Sequence, residues 1–122
     1  MVDFYNRFED PKHIAWARAV KERDKFTCQI CFATDCYLHS HHQNSWDFFE
    51  TERFDIDNGI TLCEKHHNDF HNMYGHGHNT KYQFEEFQQF YELIKELAFA
   101  NCKREILDEN GREQGDPENN DA

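Results

Sequence analysis

The sequence predicts a small α+β domain on three grounds. Helical periodicity brackets the chain, around Trp16 and again from Phe84 onward; short strand-forming runs lie between; and cysteine and histidine pairs at metal-binding spacing sit at the ends of those short elements. A chain of 122 residues with 38% apolar residues and a mean hydropathy of -1.02 cannot bury a large core unaided, so bound metal is the expected supplement.

The first helix is signalled by Asp10-Pro11, a capping residue followed by proline at the first helical position, and is expected to run through Trp16, Ala17 and Val20 to about Asp24. Arg18, Lys21 and Lys25 follow at spacings of three and four, which would set three cations on one helical face. Phe26 to His42 reads as two short strands joined by Ala33-Thr34-Asp35. Gln43 to Asp57 is a long loop carrying Trp46, Phe48, Phe49 and Phe54. Asp57-Asn58-Gly59 is a tight-turn signal leading into the strand Ile60-Thr61-Leu62. A helix over residues 64–74 should stop at Gly75. The last helix takes Thr80 as N-cap with Gln83 three residues on, and Phe84, Phe87, Tyr91, Ile94 and Ala98 form its expected core face.

No run of eighteen apolar residues exists and the first residues lack the pattern of a signal peptide, so a soluble intracellular protein is expected, without a membrane partner. Its five cysteines then read as thiols or metal ligands and not as disulfides. A net charge of -11 argues at first sight against a nucleic-acid partner, whose phosphates need neutralising. The charge is uneven, however. Residues 105–122 hold one Arg and seven acidic residues, a net -6, which leaves -5 for residues 1–104. The expected organisation is an N-terminal extension over 1–9, a folded domain over 10–107 and an acidic, disordered tail over 108–122.

Cys28-Gln29-Ile30-Cys31 and, thirty-two residues after Cys31, Cys63-Glu64-Lys65-His66 supply two ligand pairs at C-x2-C and C-x2-H spacing, the arrangement of a closed tetrahedral zinc site. Cys36 is a competing ligand and Cys102 a plain thiol. A second cluster combines His39, His41 and His42, ahead of the long loop, with His67 and His71, whose spacing of four puts both imidazoles on one helical face. His66 points about a quarter-turn away, free for the other metal. In an ideal strand His39 and His41 share a face and His42 points away. A His39-His41 ligand pair is therefore an alternative to His41 binding metal with His42 free beside it, an arrangement that needs alternation to lapse where the strand ends. His76 and His78 are weaker ligand candidates.

The stretches RDKFTCQIC, LHSHHQNSW, RFDIDNGITLCEKHHNDFHNMYG and NTKYQFEEF, in this order between Trp16 and Phe90, resemble the HNH endonuclease family, and most closely its small free-standing bacteriophage members with a structural zinc site. The resemblance implies a ββα-metal (His-Me finger) fold with flanking N- and C-terminal helices. It implies hydrolysis of phosphodiester bonds in double-stranded DNA, by nicking or double-strand cleavage, around a single divalent ion such as Mg, Mn, Ni or Zn. By position, His41, His67 and His71 match metal ligands of that ion, His42 the general base and Asn58 the asparagine that holds the base-bearing loop. Cys28, Cys31 and Cys63 match structural zinc ligands. His66 stands where cysteine is commoner, and is itself an acceptable zinc ligand.

A phage protein of this kind would work in the host cytoplasm, in homing or alongside packaging proteins; its oligomeric state is not implied. Arg18, Lys21, Lys25 and Arg53 are the candidate DNA contacts, with Lys12, Arg23, Lys81, Lys103 and Arg104 as further cations. Phosphate contacts position without specifying, and no sequence-reading module accompanies the core. The competing expectation is a zinc-stabilised module that binds DNA or protein without chemistry.

Overall fold

The computed structural model describes residues 5–109, with side chains through residue 101. The expected acidic tail falls, from residue 110 on, outside the described residues, as do the side chains of Cys102, Lys103 and Arg104. The architecture is α+β: α1 (Pro11–Arg23), β1 (Leu38–His42), β2 (Gly59–Cys63), α2 (Glu64–Tyr74) and α3 (Lys81–Glu109), with short 3-10 turns at Arg7–Glu9, Glu50–Glu52 and Ile56–Asn58. The chain divides into two compact units, Met1–Phe87 and Gln88–Ala122.

In the first unit β1 and β2 form a two-stranded antiparallel ribbon, in which His41 pairs with Ile60 and His42 with Gly59. Alternation then assigns the layers. Ser40, His42, Gly59 and Thr61 face α1: Ser40 Oγ donates to the Ala17 carbonyl at 2.7 Å, and the His42 ring stacks on Trp16 with centroids 3.8 Å apart. The other face carries His39, His41, Ile60 and Leu62. On this side Phe70 of α2 meets Phe84 and Phe87 of the first turns of α3, all three fully buried, each such ring contributing roughly 1.5–3 kcal/mol. The buried apolar set is small among the described residues.

Asp10 caps α1 by accepting the Lys12 N–H at 2.9 Å, with Pro11 at the first helical position as expected. The helix ends at Arg23, because Lys25 and Phe26 turn left-handed at φ 57° and 51°. Lys25 therefore does not share a helical face with Arg18 and Lys21, contrary to the spacing argument. Of the two strands expected between Phe26 and His42, only β1 forms. Residues 26–37 make a tight knuckle instead, in which Cys28 N–H donates to the Ala33 carbonyl and Phe32, itself at φ 64°, donates to the Cys28 carbonyl. Asn58 closes a 3-10 turn and is not the centre of a hairpin turn, since the ribbon is connected by the whole of residues 43–58.

Arg23 ties that connection to α1: it donates to the carbonyls of Ile56 at 2.9 Å and Gly59 at 2.8 Å while forking onto Asp24. This cation is structural. Gly59 is required where α1 crosses the ribbon, since a Cβ there would overlap Val20 and lie 2.7 Å from Trp16 Cζ2. Gly59→Ala is expected to cost about 1–3 kcal/mol by overpacking, read as a lowered unfolding midpoint in urea.

Gly75 stops α2 at φ 85°, and Thr80 with Gln83 forms the expected capping box: Gln83 N–H donates to Thr80 Oγ1 at 3.2 Å and Thr80 N–H to Gln83 Oε1 at 3.1 Å. In the second unit α3 continues with Phe90, Leu93, Ile94, Leu97 and Phe99 exposed. Phe84 and Phe87 are core as expected, whereas Ile94 and Ala98 are exposed and Tyr91 is half-buried. Helical periodicity marks one face of α3 along its length but not where the packed part of that face ends. No helix among the described residues is long and apolar enough to cross a membrane.

Candidate metal centres and active-site cavity

Among the described residues two side-chain groups converge, each with ligand atoms within 4.8 Å of one another: Cys28, Cys31, Cys63 and His66, and His41, His67 and His71. The first is assembled by the knuckle, which supplies Cys28 and Cys31, and by the β2–α2 junction, where Cys63 is the N-cap of α2 and accepts the His66 N–H on its sulfur. Tetrahedral zinc with Zn–S distances near 2.3 Å sets sulfurs about 3.8 Å apart. Cys31 Sγ and Cys63 Sγ are 3.8 Å apart, and His66 Nδ1 lies 3.2 Å from Cys63 Sγ. This four-residue cluster could hold a metal such as zinc. Cys36, exposed, is not among the four.

Burial pushes the Cys63 thiol up to about 11. Burial opposes ionisation of Cys28 too, but backbone hydrogen bonds around Cys31, Cys63 and Ile30 outweigh it and hold that thiol below its ordinary value. A bound cation would ionise both.

The second group spans the ribbon and α2. His41 is buried against Phe70, His67 and His71, and its Nε2 is buried without a hydrogen-bond partner. His71 Nδ1 lies 3.0 Å from the Gly75 carbonyl, which can only accept, so Nδ1 carries the proton and Nε2 the lone pair. That Nε2 faces His67 Nε2 at 3.2 Å, close to the separation of about 3.3 Å that two imidazole ligands adopt on one tetrahedral zinc. An orphaned nitrogen beside two that face each other at ligand spacing fits a shared cation. Burial holds His67 down to about 3 and His41 well below its ordinary value, with the neighbouring imidazoles adding to the effect, so all three ligands are neutral near pH 7.

β1 continues through His42, and strand alternation does not lapse there as the His41-His42 assignment had required. His42 therefore points to the α1 side, yet its ring lines the same cavity of about 440 Å³ as His41, His67 and His71. Its Nε2 lies 2.9 Å from the Arg53 carbonyl and so donates, leaving Nδ1 with the lone pair. Asn58, buried, works on the backbone of the loop: its Oδ1 accepts the Asn44 N–H at 2.8 Å, and its Nδ2 donates to the carbonyls of Asn44 at 2.9 Å and Glu52 at 3.3 Å. It braces the segment leading to Arg53 and makes no hydrogen bond to the imidazole.

Burial lowers His42 to about 4, partly offset by the Arg53 carbonyl. Between its ordinary value of 6.5 and about 4, the unfolded chain takes up a proton that the folded ring refuses. The stability present above 6.5 is therefore lost as the pH falls toward 4. For His42 alone the loss is on the order of 1–3 kcal/mol. Urea midpoints measured across that window should fall, and His42→Gln should flatten the fall.

His39 stacks on His67 with centroids 4.3 Å apart and stays outside the three-histidine group, so the His39-His41 ligand pair is not the one assembled. His76 stacks on His71, and His78 Nδ1 lies 3.4 Å from Asp47. Among the candidate DNA contacts, Arg18 is paired with Glu22 at 2.9 Å. With Lys21 it lines a second cavity of about 430 Å³ that shares Phe8, His13, His39 and Ser40 with the first. Lys25 lines neither. Arg53 donates Nε to the Trp46 carbonyl at 2.7 Å and rests on that indole, 4.6 Å from its centroid.

Not foreseen from the sequence are His13, buried and stacked toward His42 at 5.8 Å, and Arg7, which lines the histidine cavity. His13 falls at core spacing with Trp16 and Val20 on α1, a signal that could have found it; Arg7, in the segment read as an extension, carries no local signal. Comparison with protein-family models, with curated proteins and with solved structures gives no match.

Proposed function

We propose that the chain is a metal-dependent HNH-type endonuclease that hydrolyses phosphodiester bonds in DNA. The observation that carries this reading is a group of three histidines, with nitrogens at ligand spacing, sharing one cavity with a fourth histidine held as the Nε2–H tautomer. The β1–β2–α2 order and the sequence resemblance support a ββα-metal unit, with the cysteine cluster as its structural zinc site.

His41, His67 and His71 would hold the divalent ion, which when bound supplies charge stabilisation to the phosphoryl and leaving oxygens. His42, neutral and with its lone pair on Nδ1, takes the proton from the attacking water. The Arg53 carbonyl holds the ring's orientation through Nε2–H and accommodates the imidazolium once it forms. Entry of a phosphate brings negative charge beside the ring, which raises its basicity from the low value burial imposes. Asn58 positions this arrangement through the loop backbone. By family analogy the product carries a 5′-phosphate.

The direct test is supercoiled plasmid incubated with the purified chain and Mg²⁺, Mn²⁺, Ni²⁺ or Zn²⁺, on a gel that separates nicked from linear DNA. Relaxation or linearisation with at least one metal is expected. Retention of DNA with no scission under any metal would identify a zinc-stabilised binding module instead.

A further inference from the structure

Four arginines have described side chains, and they divide into two pairs. Arg18 is bound to Glu22, and Arg23 to Asp24 and to two carbonyls at the end of α1. Arg7 and Arg53 make no ion pair among the described residues, and both lie against one indole. The guanidinium carbon of Arg7 is 4.8 Å from the Trp46 centroid and 4.9 Å from that of Phe8, and that of Arg53 is 4.6 Å from Trp46. Tyr5 stacks on the same indole at 6.5 Å.

Two half-buried like charges on one aromatic platform oppose each other. Arg7 is held below its ordinary value first by burial and then by the charge of Arg53, partly offset by Asp47. The nearby carboxylate, Asp47, is turned to His78, whose backbone N–H it accepts at 3.2 Å. An anion beside the two guanidiniums would offset this repulsion, and planar, stacked guanidinium groups suit phosphate oxygens. Arg7, Phe8 and Trp46 line the cavity that also holds His41, His42, His67 and His71, whereas Arg53 reaches it only through the shared indole, so an anion at Arg7 lies at the edge of the histidine chamber.

We infer that Arg7 and Arg53, seated on Trp46, form a clamp for a backbone phosphate of nucleic acid, next to the phosphate positioned at the histidine cluster. This deepens the endonuclease reading and rests on it for the identity of the ligand. Apolar ring faces beside the two cations match a sugar–phosphate chain better than a free phosphate. Arg7 is thereby a substrate-positioning residue contributed by the segment ahead of α1.

The test is fluorescence anisotropy of a short labelled DNA duplex against the full, zinc-loaded chain in a His42→Gln background, which blocks turnover, over a range of salt. Arg7→Gln and Arg53→Gln should each weaken binding about 5–10-fold and lower the slope of log Kd against log salt by about 1, with the double variant losing about 2. Arg7→Lys should restore the slope but not the full affinity. Lys65→Gln, on α2 and paired with Asp69, is the control and should change neither. Wild-type affinity and slope in both arginine variants would overturn the clamp and leave the endonuclease reading intact. Weakened binding in both variants, with no plasmid cleavage by the chain that retains His42 under any metal, would remove the endonuclease and leave the clamp. Inorganic phosphate that fully displaces DNA from the parent chain, but not from the double variant, would reassign the site to free phosphate.

Discussion

Replacing His42 by alanine is expected to lower the rate of plasmid cleavage by about 10²–10⁴-fold while metal binding at His41, His67 and His71 persists. The magnitude follows from the role, since a positioned base contributes within that range and the ion leaves charge stabilisation in place when the base is gone. Because His42 is buried and stacked on Trp16 at 3.8 Å, alanine also leaves a cavity. His42→Gln is the companion variant: its amide can still donate to the Arg53 carbonyl and fill much of the space, but it cannot accept the water's proton. Both variants should lose cleavage, with the glutamine form keeping near-parental thermal stability. A glutamine variant that folds and cuts at the parental rate would show that the proton goes elsewhere.

Removal of the metal from the cysteine cluster is expected to unfold the first unit. Its buried apolar set is small among the described residues, and the four ligands come from the knuckle and the β2–α2 junction, which are otherwise joined mainly by the backbone bonds Gln29 N–H to the Thr61 carbonyl and Glu64 N–H to the Tyr37 carbonyl. Structural zinc in comparable small domains contributes about 10–16 kcal/mol of apparent binding free energy, more than the stability of most domains of this size. A strong chelator, or Cys31→Ser, should therefore abolish the cooperative thermal transition and the zinc content measured by elemental analysis. His67→Ala separates the two centres: it should lose cleavage and leave the cysteine-bound zinc and most of the thermal stability. A chain that contains no metal as purified, and whose melting is unmoved by chelator, would refute the structural zinc.

Much of both centres was legible because their ligands are paired within a turn of each other. C-x2-C, C-x2-H and the His67-His71 spacing dictate which atoms can converge, whatever the rest of the chain does. Caps and stops were legible for the same reason, Asp10-Pro11, Thr80 with Gln83, and Gly75 acting through the adjacent backbone. The missing strand was not. Phe26 to Tyr37 is rich in strand-forming residues, yet the left-handed turns at Lys25, Phe26 and Phe32 and the folding of the chain back on Cys28 override that propensity. Lys25 left the basic face for the same reason.

What the sequence by itself determined, then, is the inventory of the protein: which residues can bind metal, where helices begin and stop, and that the acidic excess is concentrated near the C-terminal end of the chain. Tertiary structure decided how that inventory is used. It chose among the histidines by placing His41 against α2 and His42 against α1, on opposite faces of one ribbon that border one cavity. It set the tautomer of His42 through the Arg53 carbonyl of the long loop, turned Asn58 onto backbone and not onto imidazole, and brought Arg7 to Trp46. Spacing along a chain constrains neighbours within a turn or two, but the orientation and tautomer of His42 and the seat of Asn58 depend on partners eleven or more residues away, which only the packed fold supplies.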